Sequence, residues 1–313
     1  MNILITGGCG YVGTVLTNRL LQLNHQITII DTQWFGNYLN QNKKLEVIKD
    51  DIRNIAKYDF KNFEIVIHLA NIANDPAVEL DPNLSWEVNC LATQQIIDKC
   101  VRDNVKQFIY ASSGSVYGVK EESEVTEDLT LVPISTYNKT KMIAERIFLS
   151  YQDNFKIHII RPATVCGFSD RMRLDLTVNI LTFQALQNKL MTVFGGSQIR
   201  PNIHIKDMVR VYEHFLMNKN IKSGFYNAGF ENLKVIEIAQ KIQSKIKAKI
   251  KISKSNDLRS YRLDSSKLLN TNFKPKYTVD YGIEELIEAH KLNNLKNYKS
   301  SYTVQWMQKK KIK

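Results

Sequence analysis

The first half of the chain repeats one unit, a short β-branched run followed by a longer helical pattern. The runs are "NILIT" (2–6), "QITII" (26–30), "LEVI" (45–48), "EIVIHLA" (64–70), "QFIYASS" (107–113) and "KIHIIR" (156–161). They are apolar through their length instead of alternating, as strands are when both faces of a sheet are covered. Helical patterns at 11–23, 84–103 and 137–152 lie between them. That order admits few folds. It predicts βαβ units and an α/β, doubly wound parallel sheet of the Rossmann type. Past residue 165 the pattern becomes mixed. Residues 176–188 and 234–246 read as helices, 191–195 and 248–252 as short strands, and "FYNAG" (225–229) as a further strand of the main sheet. The expected division is a dinucleotide-binding domain over 1–165, with 201–229 returning to it. A smaller mixed α/β substrate lobe takes 166–200 and 230–295, and 296–313 form a basic tail whose end, "QKKKIK", is read as frayed and solvated.

Composition excludes several classes. No apolar run reaches the roughly 18 residues of a membrane helix, and "MN" leads straight into a strand with no basic leader, so a cytoplasmic protein is expected. Cys9, Cys90, Cys100 and Cys166 are far apart, and the six histidines are scattered. Neither a disulfide framework nor a metal site is expected. The net charge of +12 admits nucleic-acid binding, but no basic patch is interleaved with aromatics. Lysines spread over solvated faces, or an anionic small substrate, account for it.

The segment "TGGCGYVG" joins the first strand to the first helix and holds Gly7, Gly10 and Gly13, with Tyr11 and Val12 opening the helix. Glycines there let the backbone turn sharply and approach a pyrophosphate at the helix N-terminus. The next strand ends at Asp31, about twenty residues on, where a carboxylate accepts from ribose hydroxyls and repels a 2′-phosphate. NAD is therefore expected over NADP. Asp51 and Ile52 follow a later strand and read either as an adenine contact or, for Asp51, as a helix cap. "YNKTK" places Tyr137 and Lys141 at i and i+4, on one helical face. A lysine charge beside a phenol, together with an oxidised nicotinamide, favours the phenolate, which makes the tyrosine a usable base; a surface pair of no chemical significance is the alternative. Ser113 ends a strand at the edge where such sheets bind ligands, within reach of the same substrate oxygen.

Together "TGGCGYVG", "HLA", "SSGSVYG", "YNKTK" and "RPATVCG" resemble the extended short-chain dehydrogenase/reductase family, the NAD-dependent epimerases and dehydratases that act on nucleotide sugars. The resemblance spans nearly the whole chain. It implies Ser113, Tyr137 and Lys141 as the catalytic set, with Lys141 also on the nicotinamide ribose. It implies Leu69, Ala70 and Asn89 near NAD, and Asn179, Arg200 and Arg259 on a nucleotide diphosphate sugar; surface salt bridges are the alternative for the two arginines. It also implies a homodimer built through 84–103 and 137–152.

Departures from the family narrow the chemistry. Gly114 and Ser115 stand where a 4,6-dehydratase needs an acid and a carboxylate, and Ser115 where enzymes epimerising C3 or C5 carry a cysteine. Redox at the sugar's C4 remains, ending as a 4-dehydrogenase, a 4-epimerase or a 4-ketoreductase, and Asp31 counts against the NADPH-dependent last. The stretches "IDTQWFGNYL" and "RMRLDLTVNIL" resemble enzymes making unusual sugars for bacterial surface polysaccharides, with a GDP-heptose 4-dehydrogenase as the sharpest expectation. A non-catalytic NAD-sensing regulator is disfavoured because the Ser, Tyr and Lys are all present.

Overall fold

The computed structural model describes residues 1–254 and 260–312. Its main sheet has seven parallel strands: β1 (Asn2–Thr6), β2 (Gln26–Asp31), β3 (Leu45–Lys49), β4 (Ile65–His68), β5 (Gln107–Ala111), β6 (Lys156–Pro162) and, after β7 (Thr164–Cys166), β8 (Leu190–Phe194) and β9 (Ile199–His204), the late strand β10 (Gly224–Ala228). Their spatial order is β10-β6-β5-β4-β1-β2-β3. The chain winds outward from β1 in both directions, which opens a crevice at the carboxyl ends of β1 and β4.

The unbroken apolar runs follow from this layering. Successive residues of a strand face opposite sides. In β1, Ile3 and Ile5 join Leu16, Leu20, Val209 and Phe215 on one face, while Leu4 joins Val66, Ile96, Phe108 and Phe148 on the other. The first face is covered by helices Tyr11–Gln22 and Ile205–Met217, the second by Ala92–Arg102 and Thr136–Leu149. Two small sheets lie outside this frame. One is β11 (Glu231–Lys234), β9 and β7; the other pairs β8 with β12 (Lys249–Ser253). Helices Thr177–Asn188, Val235–Lys245 and Val279–Lys291 bury a separate apolar cluster against the second.

Two expectations about helices are corrected. The single helix expected over 84–103 is interrupted by a π-turn at Glu87–Leu91, between Pro82–Trp86 and Ala92–Arg102. Such bulges insert one residue and re-aim side chains. Here the turn includes Asn89, whose Oδ1 accepts from Ile72 N at 2.9 Å and whose Nδ2 donates to Ile72 O at 3.2 Å. The expected frayed end is also a helix, Thr303–Lys310. Met307 packs into the second core face, and Trp306 Nε1 donates to Trp34 O at 2.6 Å. Gln305, Gln308, Lys309, Lys310 and Lys311 face solvent. No helix among the described residues is long and apolar enough to cross a membrane.

Candidate active site

A cavity of about 510 Å³ opens at the carboxyl ends of β1, β2, β4 and β5. Its floor is the turn after β1. Gly7 has φ +77°, and a Cβ there would lie 2.5 Å from Ala70 N; one on Gly13 would lie 2.5 Å from Gly7 O. Only glycine permits this packing. The first bond of helix Tyr11–Gln22 runs from Thr14 N to Gly10 O at 2.9 Å, so the N–H groups of Tyr11, Val12 and Gly13 have no intrahelical acceptor. They face the cavity at the positive end of the helix dipole, an arrangement suited to an anion. Gly13→Ala is expected to abolish binding of NAD, or folding with it, in a calorimetric titration paired with a melting curve.

Asp31 closes β2 at one end of the cavity. Its Oδ2 accepts from Cys9 N at 3.0 Å and its Oδ1 from Gln33 N at 2.7 Å. Burial raises its pKa and these two hydrogen bonds oppose the rise. Asp51 lines the wall and also caps a 3₁₀ turn, accepting from Arg53 N at 2.8 Å. Ile52, Leu69 and Ala70 line the same wall.

The other end of the cavity holds the Ser, Tyr and Lys set. Ser135 starts the helix Thr136–Leu149 by accepting from Asn138 N at 3.2 Å. Tyr137 and Lys141 then face β5, from which Ser113 follows. Ser113 Oγ lies 2.8 Å from Ser115 Oγ, which donates to Asn138 Oδ1 at 2.7 Å. Lys141 Nζ donates to Ala111 O at 2.6 Å and sits 6.0 Å from the Tyr137 ring centroid. Burial pushes Tyr137 up to about 12, opposed by its hydrogen bond to Ser113 and the charge of Arg173. Burial pulls Lys141 down to about 7, with Glu145 as the main opposing charge. The sequence argument had Lys141 and an oxidised nicotinamide together favouring the phenolate; among the chain's own groups, Ser113 and Arg173 are the ones that lower Tyr137, and burial lowers Lys141 itself.

The sign of the lysine shift can be tested. Its pKa is lower folded than unfolded, so between about pH 7 and the ordinary lysine value near 10.4 the unfolded chain binds more protons, and stability rises with pH. Melting curves of wild type and Lys141→Met across that window are expected to show the wild type gaining on the variant as pH rises. A constant difference contradicts the assignment.

Several predicted residues lie elsewhere. Arg200 lines the cavity. Asn89 does not; it is fully buried and braces Ile72, whose segment does. Asn179 is likewise fully buried, accepting from Gly167 N at 3.0 Å and donating to Tyr11 Oη at 3.0 Å. Both asparagines are held by buried backbone and side-chain partners and do not line the cavity. Arg259 lies outside the described residues. The sequence reading missed Arg171, Arg173 and Asp175, which line the cavity from the loop after β7, and Thr303 and Met307, which close it from the last helix. Its signal was the alternation in "RMRLD", which turns both arginines to one side of an extended segment.

The model for the NAD dependent epimerase/dehydratase family matches residues 3–229. The chain belongs to that family. A putative UDP-glucose 4-epimerase of Methanocaldococcus jannaschii is 28% identical over 93% of this chain and 99% of its own length. UDP-glucuronic acid decarboxylase 1 of Danio rerio is 27% identical over 93% of this chain and 74% of its own. The solved UDP-glucuronic acid 4-epimerase from Bacillus cereus, in complex with UDP-glucuronic acid and NAD, is 27% identical, covers 94% of this chain and 100% of its own, and superposes with a TM-score of 0.81. The chain is an NAD-dependent epimerase/dehydratase-type enzyme, and the unpaired helix N–H groups, the glycine packing and the buried Asp31 fit NAD as its cofactor.

Proposed function

We propose that the enzyme oxidises C4 of a nucleotide diphosphate sugar. The observation that carries the proposal is the convergence of Ser113, Tyr137 and Lys141 at one end of a cavity whose other end holds the glycine turn and Asp31. NAD, when bound, accepts the hydride that leaves the sugar carbon. The protein's part is to take the hydroxyl proton, and Tyr137 Oη is the group for it. Ser113 positions the phenol by its hydrogen bond and Arg173 favours the phenolate by its charge. Lys141 loads the same pocket with positive charge below about pH 7. Gly114 and Ser115 supply no acid at the two positions where the family's 4,6-dehydratases carry theirs, which counts against dehydration. Arg200 lines the wall of the cavity and is offered to the nucleotide part of the substrate.

The finer reading is a 4-dehydrogenase on GDP-heptose in surface-polysaccharide synthesis, supported by the likeness of "IDTQWFGNYL" and "RMRLDLTVNIL" to enzymes of such sugars. A second reading, a 4-epimerase returning hydride to the opposite face, is favoured by the relatives named as 4-epimerases of UDP-glucose and UDP-glucuronic acid. Incubating the enzyme and NAD with a panel of GDP- and UDP-sugars separates them. Accumulating reduced nicotinamide with one sugar identifies a dehydrogenase and its substrate. A sugar inverted at C4 without accumulation identifies an epimerase. No change at C4 of any sugar refutes both.

We also propose a homodimer packed through Pro82–Arg102 and Thr136–Leu149. Leu91 is 62% and Ile143 37% exposed on these segments, apolar surface of the kind that marks an interface. Sedimentation at micromolar concentration is expected to show the dimer and Leu91→Glu to dissociate it; a monomeric wild type refutes the proposal.

A further inference from the structure

We propose that Arg171 binds the diphosphate of NAD, closing it against the N-terminus of helix Tyr11–Gln22. The loop that carries Arg171 is fastened to that terminus. Tyr11 Oη donates to Gly167 O at 2.7 Å, and Ser169 Oγ donates to Tyr11 O at 3.0 Å. Arg171 follows two residues later and lines the cavity while only 4% exposed.

Its hydrogen bonding is incomplete. A guanidinium has five N–H donors in a fixed fork. Here Nε has no partner, and Nη1 reaches only the neighbouring Met172 O at 3.5 Å, the outer limit of a hydrogen bond. The group stacks on Phe35, 4.3 Å from its ring centroid, which orients the fork without satisfying it. Among the described residues no carboxylate forms an ion pair with it; Asp175 and Asp31 act on it only through longer-range charge. The adjacent Arg173 is paired bidentately with Asp175 at 2.9 and 3.1 Å. Asp31, another acid of the cavity wall, has an N–H on each oxygen already. A buried cation without an anion is costly, and structures retain one where a ligand supplies the missing charge. The open N–H groups of the helix and the incompletely bonded fork of Arg171 line the same cavity. An anion with oxygens on two faces satisfies both, and a diphosphate is such a group. The assignment is independent of which sugar the enzyme takes.

Calorimetric titration of nucleotide-stripped protein with NAD, ADP and adenosine isolates the diphosphate. Arg171→Met is expected to weaken NAD and ADP on the order of a hundredfold, as loss of one partner of a buried charged pair does, with adenosine affinity unchanged. Unchanged NAD affinity, or an equal loss for all three ligands, overturns the assignment. If the Met variant does not fold, Arg171→Lys decides. It keeps the charge and loses the fork, so weaker NAD and ADP with unchanged adenosine supports the proposal, and unchanged NAD and ADP overturns it.

Discussion

Tyr137→Phe is expected to lower kcat by roughly 10²- to 10⁴-fold, the range over which a positioned proton acceptor contributes, while NAD affinity and melting temperature stay at wild-type values. The phenol oxygen is the one atom removed. Its ring packs beside the core face formed by Ile157, Phe148 and Ala144, and that packing survives in Phe. The loss is expected to fall on kcat more than on KM, because the proton moves only in the reacting complex. Ser113→Ala is expected to give a smaller loss and to shift the rising limb of the pH profile to higher pH. Its hydrogen bond lowers a phenol that burial holds at about 12; without it the phenolate is harder to form. A Tyr137→Phe enzyme with most of its activity would remove Tyr137 as the base.

Glu145→Ala is expected to destabilise the protein by about 3–5 kcal/mol, the cost of stranding a buried charge, out of the roughly 5–15 kcal/mol of a typical domain. The carboxylate is 1% exposed and pairs with Arg161, 2% exposed, at 2.9 Å from Nε and 2.7 Å from Nη2. Ser112 Oγ donates to it at 2.5 Å, and Arg161 continues through Tyr117 to Asn227. This chain of polar groups fastens the helix of Tyr137 and Lys141 to β5, β6 and β10. Denaturant midpoints measure the loss. The double variant Glu145→Leu with Arg161→Met is expected to recover much of it, since an apolar pair strands nothing. A single-variant loss below about 1 kcal/mol would mean the guanidinium finds water or another acceptor. Glu145 also holds up the lysine's proton affinity, so its removal is expected to leave Lys141 neutral at lower pH.

The sheet was legible because its signal is local. Each parallel strand is a β-branched run whose successive residues enter two opposite apolar layers, as Ile3, Leu4 and Ile5 do. The glycine turn and the Tyr137–Lys141 spacing were legible for the same reason, being short stretches whose geometry is set by neighbours in sequence. Asn89 and Asn179 misled because position near a site says nothing of which way an amide turns. One is committed to Ile72 and the other to Gly167 and Tyr11. The Tyr137–Lys141 argument counted charge and left out desolvation, which is the largest influence on both groups. Arg171 and the closing helix were hidden because their partners, Phe35 and Trp34, lie more than a hundred residues away in sequence.

That closing helix bears on how the enzyme is made. The cavity begins at Gly7 and ends at Met307, a separation of 300 residues. At about 5–20 residues per second, a ribosome takes roughly 15 to 60 s to pass from one wall to the other. Through that interval the glycine turn, Asp31 and even the Tyr137 helix can be in place while the side closed by Thr303 and Met307 stays open. Tight retention of a dinucleotide is therefore a late event in the life of the polypeptide, and a bulky fusion placed just after Lys310 would interfere with it more than the same fusion before Met1.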